Sequence, residues 1–147
     1  MTPEEYLKKH SQFSSGTLET GWFYLEISYF ASIGRVLDLL GKHIKFGVNL
    51  DKDLLLFELG ELLRQFVNLS KHAMSHGVFA FYDWNRSKEM VPAGISGCAN
   101  SILNMMRALD FEKRIHFLAN ACSHIGFTFD DVAQKSLENI QLRGVMS

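Results

Sequence analysis

Two carboxylates stand three residues apart in Glu58-Leu59-Gly60-Glu61. On a helix, residues at i and i+3 are neighbours on one side. Such a pair can grip a hard divalent cation such as Mg²⁺, which takes oxygen ligands and keeps several of its waters. Gln65 and His72 continue the same stripe toward the C-terminus and would form the wall of that site. The chemistry on offer is the binding of such a cation. The competing reading is the solvated face of an amphipathic helix. Gly60 bears on the choice, because a glycine in mid-helix costs about 1 kcal/mol relative to alanine and needs a reason such as close helix packing.

The other chemistry-bearing residues are less organised. His72 and His76 lie four apart, a spacing that can ligate zinc or iron. No Glu follows His72, so the metalloprotease pattern is absent. His116 and His124 lie eight apart, and His43 sits near a helix end; surface histidines are the simpler reading of all six. Cys98 and Cys122 fall inside apolar helical patterns without a CxxC partner, which reads as free, buried thiols in a reducing cytoplasm. The chain contains no GxSxG elbow, GxGxxG fingerprint or P-loop, so no catalytic nucleophile or phosphate cradle is assigned. Arg64 and His72 are too far apart for the Arg–His pair of helical ribonucleases.

Phe79, Phe81, Tyr82 and Trp84 fall within six residues, beside Arg86, Lys88 and Met90. Exposed, that cluster would anchor a protein partner, because aromatics and Arg dominate interface energetics. Folded inward, it would cap one end of a bundle.

The elements that must position these residues are helices. Pro occurs only at positions 3 and 92, so helices can run long. Thr2-Pro3-Glu4-Glu5 reads as a cap, a first-turn Pro and a capping-box Glu, starting a helix to about Gln12. SSGT at 14–17, with Thr17 as cap, precedes a second helix over 18–41, or onward to Gly47. Asn49 or Asp51 opens a third to about Ser75, with Gly77 as its C-cap. In it Leu55, Leu59, Leu62, Leu63, Phe66 and Val67 share one arc. Glu58, Glu61, Arg64, Gln65, Asn68 and His72 share the other. Residues 78–93 read as irregular, with strand propensity only in VFAFY. A fourth helix spans Ile95 to Leu109, a fifth runs from an Asp110 cap to Gly126, and a Thr128–Asp131 capping box opens the last, to about Leu142. The expectation is one all-α domain over 1–147, a bundle of five or six helices.

Composition agrees with a packed fold. The chain has 147 residues, 47% of them apolar and 21% charged, enough to bury a core without disulfides or metals. Fifteen Lys+Arg balance sixteen Asp+Glu with no basic stripe, which argues against nucleic acid or an anionic membrane as partner. Trp22–Leu40 is broken by Glu26, Arg35 and Asp38, so it reads as a core helix and not a membrane span. MTPEEYLKKH carries no apolar run of the secretory kind, and a cytoplasmic protein is expected.

FELGELLRQFVNLSKHAMSHG (57–77) resembles the first segment of MazG-like nucleotide pyrophosphohydrolases, the all-α family that includes the dimeric dUTPases. IHFLANACSHIGFTFDDVAQKSLENIQLRG (115–144) resembles the closing segment of the same family. The resemblance implies a MazG-like helical frame, a homodimer, and Glu58 and Glu61 as half of a Mg²⁺ site over a nucleoside triphosphate. The family's second acidic motif would fall on Asp110 and Lys113, where a cation replaces one carboxylate. Its closing Asn and Lys fall on Ser136 and Asn139, and Arg143 alone agrees. A second register places Glu58 and Glu61 in the second motif and leaves Ser32 and Arg35 in the first. Either way one acidic pair is kept and one lost. Two functions follow: an interaction protein on a MazG-like frame with an incomplete metal site, or a Mg²⁺-dependent nucleotide pyrophosphohydrolase completed by Glu26, Glu89 or Glu112.

Overall fold

Four helix starts in this chain are set by side chains that satisfy otherwise free backbone N–H groups. Thr2 Oγ1 accepts from the Glu5 amide at 3.1 Å, Asp51 Oδ1 from Leu54 at 3.1 Å, and Asp110 Oδ1 from Lys113 at 2.8 Å. Thr128 and Asp131 form a reciprocal capping box, each side chain accepting from the other's amide at 3.0 Å. All four starts were legible in the sequence.

The computed structural model describes residues 1–13, 21–74, 76–83 and 91–146, with the backbone alone at Phe13, His76 and 143–146. Among the described residues it holds seven helices and no strand: α1 (Pro3–Phe13), α2 (Trp22–Phe46), α3 (Lys52–His72), α4 (His76–Ala80), α5 (Gly94–Arg107), α6 (Phe111–His124) and α7 (Phe129–Met146). The helix beyond the expected six is the five-residue α4, which occupies the start of the stretch read as irregular. The SSGT loop and Thr17 lie outside the described residues.

One helix end takes the longer of the two expected stops, and one differs from expectation. α2 passes Gly41 and stops at Gly47, whose φ of 66° closes the helix with an N–H···O bond to His43. α3 stops at His72, and the left-handed residue that follows is Met74, at φ 58°. Gly77, expected as that cap, belongs to α4.

α3 is the central element. It packs against α2 on one side and α7 on the other, and also touches α4 and α6. Residues 59–63 and 66–70 are buried without interruption, polar members included. α5 and α6 pack against each other, α5 also against α2 and α6 also against α3, α4 and α7, and α1 lies against α7 and α4. The core gathers Tyr29, Ile33 and Leu40 of α2, Leu59 and Phe66 of α3, and Ile102, Leu118 and Val132 beyond. Cys98 and Cys122 are free and buried within it; burial pushes the Cys98 thiol up to about 12 and raises that of Cys122 as well. Among the described residues no helix is long and apolar enough to cross a membrane.

Gly60 has the packing reason its position demanded. A Cβ there would lie 2.9 Å from the Ser136 backbone nitrogen and 3.2 Å from its Cα, so α3 and α7 meet where the side chain is missing. Gly60→Ala is therefore expected to destabilise by about 1–3 kcal/mol through overpacking, despite the ~1 kcal/mol that alanine gains in a helix interior. A urea midpoint at or above that of the parent protein would show that α7 yields freely at this contact.

Candidate functional site

The ExxE pair sits where α3 is enclosed by its neighbours, and its two carboxylates lead different lives. Glu58 points toward α2, where the Arg35 Nε lies 3.0 Å from its Oε2. Arg35 also donates to Ser32 Oγ at 2.9 Å, which steadies the guanidinium. The Arg35 side chain is half exposed and that of Glu58 is 12% exposed. Glu61 is buried. Its Oε2 accepts from Arg64 Nη2 at 2.8 Å and from Arg64 Nε at 3.3 Å, one turn along the same helix.

Glu58 and Glu61 thus each meet a guanidinium. Among the described residues no group of three or more His, Cys, Asp or Glu could hold a metal ion. Of the acids that could have completed a site, Glu26 and Glu112 join no such group, and Glu89 lies outside the described residues. Lys113, in the place of the second motif's carboxylate, gives its amide to the Asp110 cap.

The polar arc of α3 does not face water as a whole, because α1 and α7 reach across it. Tyr6 of α1 shares a 2.7 Å hydrogen bond with Ser136 of α7. Its phenol is pushed up by burial, with Arg64 and Glu61 close enough to act on it electrostatically. Asn139 donates to the Phe57 carbonyl at 3.2 Å. Further along, Lys71 donates to His10 Nδ1 at 3.2 Å and to Ser11 Oγ at 2.7 Å. His10 is fully buried. Burial first, then the positive charges of Lys71 and Arg64, hold its pKa down at about 3, while Asn68 pulls the other way. Desolvation also lowers Lys71. Tyr6, His10, Ser136 and Asn139 were not read as parts of one cluster from the sequence. The signal available was a polar arc on α3 that needed partners, together with an α1 whose Tyr and His stand four apart.

The remaining expected site residues are scattered. Gln65 is half-buried, and His72 is half-buried with its ring 5.7 Å from that of Trp22. The His76 side chain lies outside the described residues. His116 shares a 3.1 Å hydrogen bond with Tyr82, and His124 Nδ1 accepts from the Ala93 amide at 2.9 Å, so both serve the fold. His43 Nδ1 donates to the Val48 carbonyl at 2.8 Å, just past the end of α2. The aromatic cluster divides. Phe79 is in the core between Tyr6 and Phe129, Tyr82 is buried against His116 and Phe129, and Phe81 is 87% exposed. Trp84, Arg86, Lys88 and Met90 lie outside the described residues.

A separate cavity of about 250 Å³ opens between the starts of α3 and α5 and the end of α6. Leu50, Leu55, Ile95 and Phe127 line it, with Lys52 and His124 as its polar members. Neither Glu58 nor Glu61 borders it.

Comparison of the chain with family models, with curated proteins and with solved structures returns no match.

Proposed function

We propose that this protein is a helical interaction protein, built on a MazG-like frame, whose acidic pair serves the fold and not a metal. One observation carries the reading: both members of the ExxE pair are taken up by arginine, Glu58 by Arg35 at 3.0 Å and Glu61 by Arg64 at 2.8 Å. A guanidinium satisfies a carboxylate with directed hydrogen bonds and puts a positive charge where a cation would have to sit. The pairing suits a polar seam between helices better than a Mg²⁺ site, which needs several unengaged oxygens. A cytoplasmic setting fits the two free, buried thiols.

Calorimetric titration of Mn²⁺ into the protein tests the reading without a guess about substrate. No saturable heat is expected up to millimolar Mn²⁺, and a Glu58→Gln, Glu61→Gln double variant is expected to behave identically. Glu58→Gln alone provides the control at the less buried position, where folding is least at risk. Saturable binding in the parent protein that both variants lose would restore the nucleotide pyrophosphohydrolase as the better account.

A further inference from the structure

The cavity of about 250 Å³ between the starts of α3 and α5 and the end of α6 has the make-up of a small-molecule site, an apolar interior with few polar groups. Leu50, Leu55, Ile95 and Phe127 form its wall. Leu55 is fully buried, and the other three are half-buried and pack against the core. The turn after α6 holds one side of it. Gly126, at φ 85°, donates to the Ser123 carbonyl at 3.2 Å, and the Phe127 amide returns to the Cys122 carbonyl at 3.0 Å.

The two polar members are unspent donors. The His124 ring is seated twice: its Nδ1 accepts from the Ala93 amide at 2.9 Å, and Gly97 makes room for it. A Cβ at Gly97 would lie 2.8 Å from Nδ1 and 2.9 Å from Cγ. With Nδ1 accepting, the neutral ring carries its proton on Nε2, which has no hydrogen bond among the described residues. Lys52 is exposed and makes no ion pair among the described residues. Its place is not explained by the helix it opens, since a cation in the first turn opposes the helix dipole. Asp51 and Asp53 flank it in the chain, but neither lines the cavity, and Asp51 Oδ1 is taken up by the Leu54 amide.

We infer that this cavity binds a medium-chain monocarboxylate, its tail among Leu55, Ile95 and Phe127 and its carboxylate held by Lys52 and the Nε2–H of His124. Size sets the chain length. An apolar cavity of about 150 Å³ holds one benzene, so 250 Å³ takes about ten non-hydrogen atoms, the number in octanoate. Charge sets the head group. One unpaired cation matches a monoanion, and two donors match the two oxygens of a carboxylate. A phosphate monoester would bring a second charge, and no second Lys or Arg lines the cavity. The site lies apart from Glu58 and Glu61, so it goes beyond the interaction reading and stands whichever way the Mn²⁺ titration falls.

Calorimetric titration of sodium octanoate into the full chain at pH 7.5 tests this. Saturable binding at one site is expected, with a dissociation constant on the order of 100 µM. Hexanoate should bind about fifteenfold more weakly, since each buried methylene contributes roughly fourfold. Dodecanoate should bind no tighter than octanoate, because the cavity is then full. Lys52→Met, at an exposed position, is expected to weaken octanoate about tenfold and leave octanol unchanged. Ile95→Trp fills the cavity and should weaken both at least about fiftyfold, with the helical circular dichroism unchanged. No saturable heat up to about 5 mM octanoate overturns the proposal. So does affinity that keeps rising through dodecanoate, as adsorption of a surfactant would. Octanoate binding that Lys52→Met leaves intact, or octyl phosphate binding tighter than octanoate, overturns it as well.

Discussion

Lowering the pH from 6.5 to 5 is expected to reduce the unfolding free energy by roughly 2 kcal/mol through His10 alone. In the fold, His10 lies with its ring 5.8 Å from that of Tyr6 on α1, and it faces Lys71, Arg64 and Asn68 of α3. Its Nδ1 accepts from the Lys71 ammonium, so the native arrangement needs the neutral imidazole. A protonated ring would add a third positive charge beside Lys71 and Arg64 at a buried position. The native pKa accordingly falls from 6.5 to about 3. The unfolded chain binds a proton near 6.5 and the native chain does not, so protonation favours unfolding throughout the interval. Stability contributed by His10 is complete above 6.5 and is lost progressively as the pH falls toward 3, at about 1.4 kcal/mol per unit. The full loss would approach roughly 4–5 kcal/mol. Urea unfolding of the parent protein and of His10→Gln, at pH 7.5, 6.5, 5.5 and 5.0, isolates the contribution because carboxylates titrate in both. The parent midpoint should fall more steeply than that of the variant; parallel lines would mean that His10 takes up its proton without leaving its place.

The consequence is structural. His10, Ser11 and Tyr6 are the residues by which α1 reaches across to α3 and α7. Acid therefore acts first on the seating of α1, and on the covering of Glu61 and Arg64 that α1 provides.

How far the sequence revealed this depends on the range of the interaction involved. Asp51, Asp110 and the Thr128–Asp131 box are readable because a cap is a contact between residues three apart. The apolar arc of α3 is readable because the helical repeat is fixed. α3 ends early because Met74 takes the left-handed conformation that a glycine usually marks, and the nearest glycine, Gly77, lies three residues further on. VFAFY has strand propensity, but Phe79 and Tyr82 must both reach the core around Phe129, and a helical turn puts residues three apart on the same side. Gly60 announced a close approach but not the partner, since Ser136 lies 76 residues away. The acidic pair was the least readable feature. Its spacing is the same whether it holds a cation or two arginines, and Arg35 reaches Glu58 only because α2 folds back on α3.

Arg64→Leu is expected to cost about 3–5 kcal/mol, the scale for removing one partner of a buried ion pair. The Glu61 side chain is 2% exposed and that of Arg64 14%, so water cannot replace the guanidinium at little cost. Glu61→Gln should cost less, because the amide oxygen still accepts from Arg64 at the same position. The double variant should be more stable than the sum of the two losses predicts, with a coupling of about 2 kcal/mol, since it removes the buried carboxylate along with its cation. Arg35→Leu provides the contrast. Its partner contact with Glu58 is open to solvent on the arginine side, and a pair of that kind contributes under about 1 kcal/mol and weakens with salt. Denaturant unfolding of the parent protein and these variants, at low and high salt, separates the two pairs. If Arg64→Leu stayed within about 1 kcal/mol of the parent protein, the Glu61–Arg64 contact would not be holding the carboxylate. A divalent cation could then compete for it, and the hydrolytic reading of the acidic pair would regain its ground.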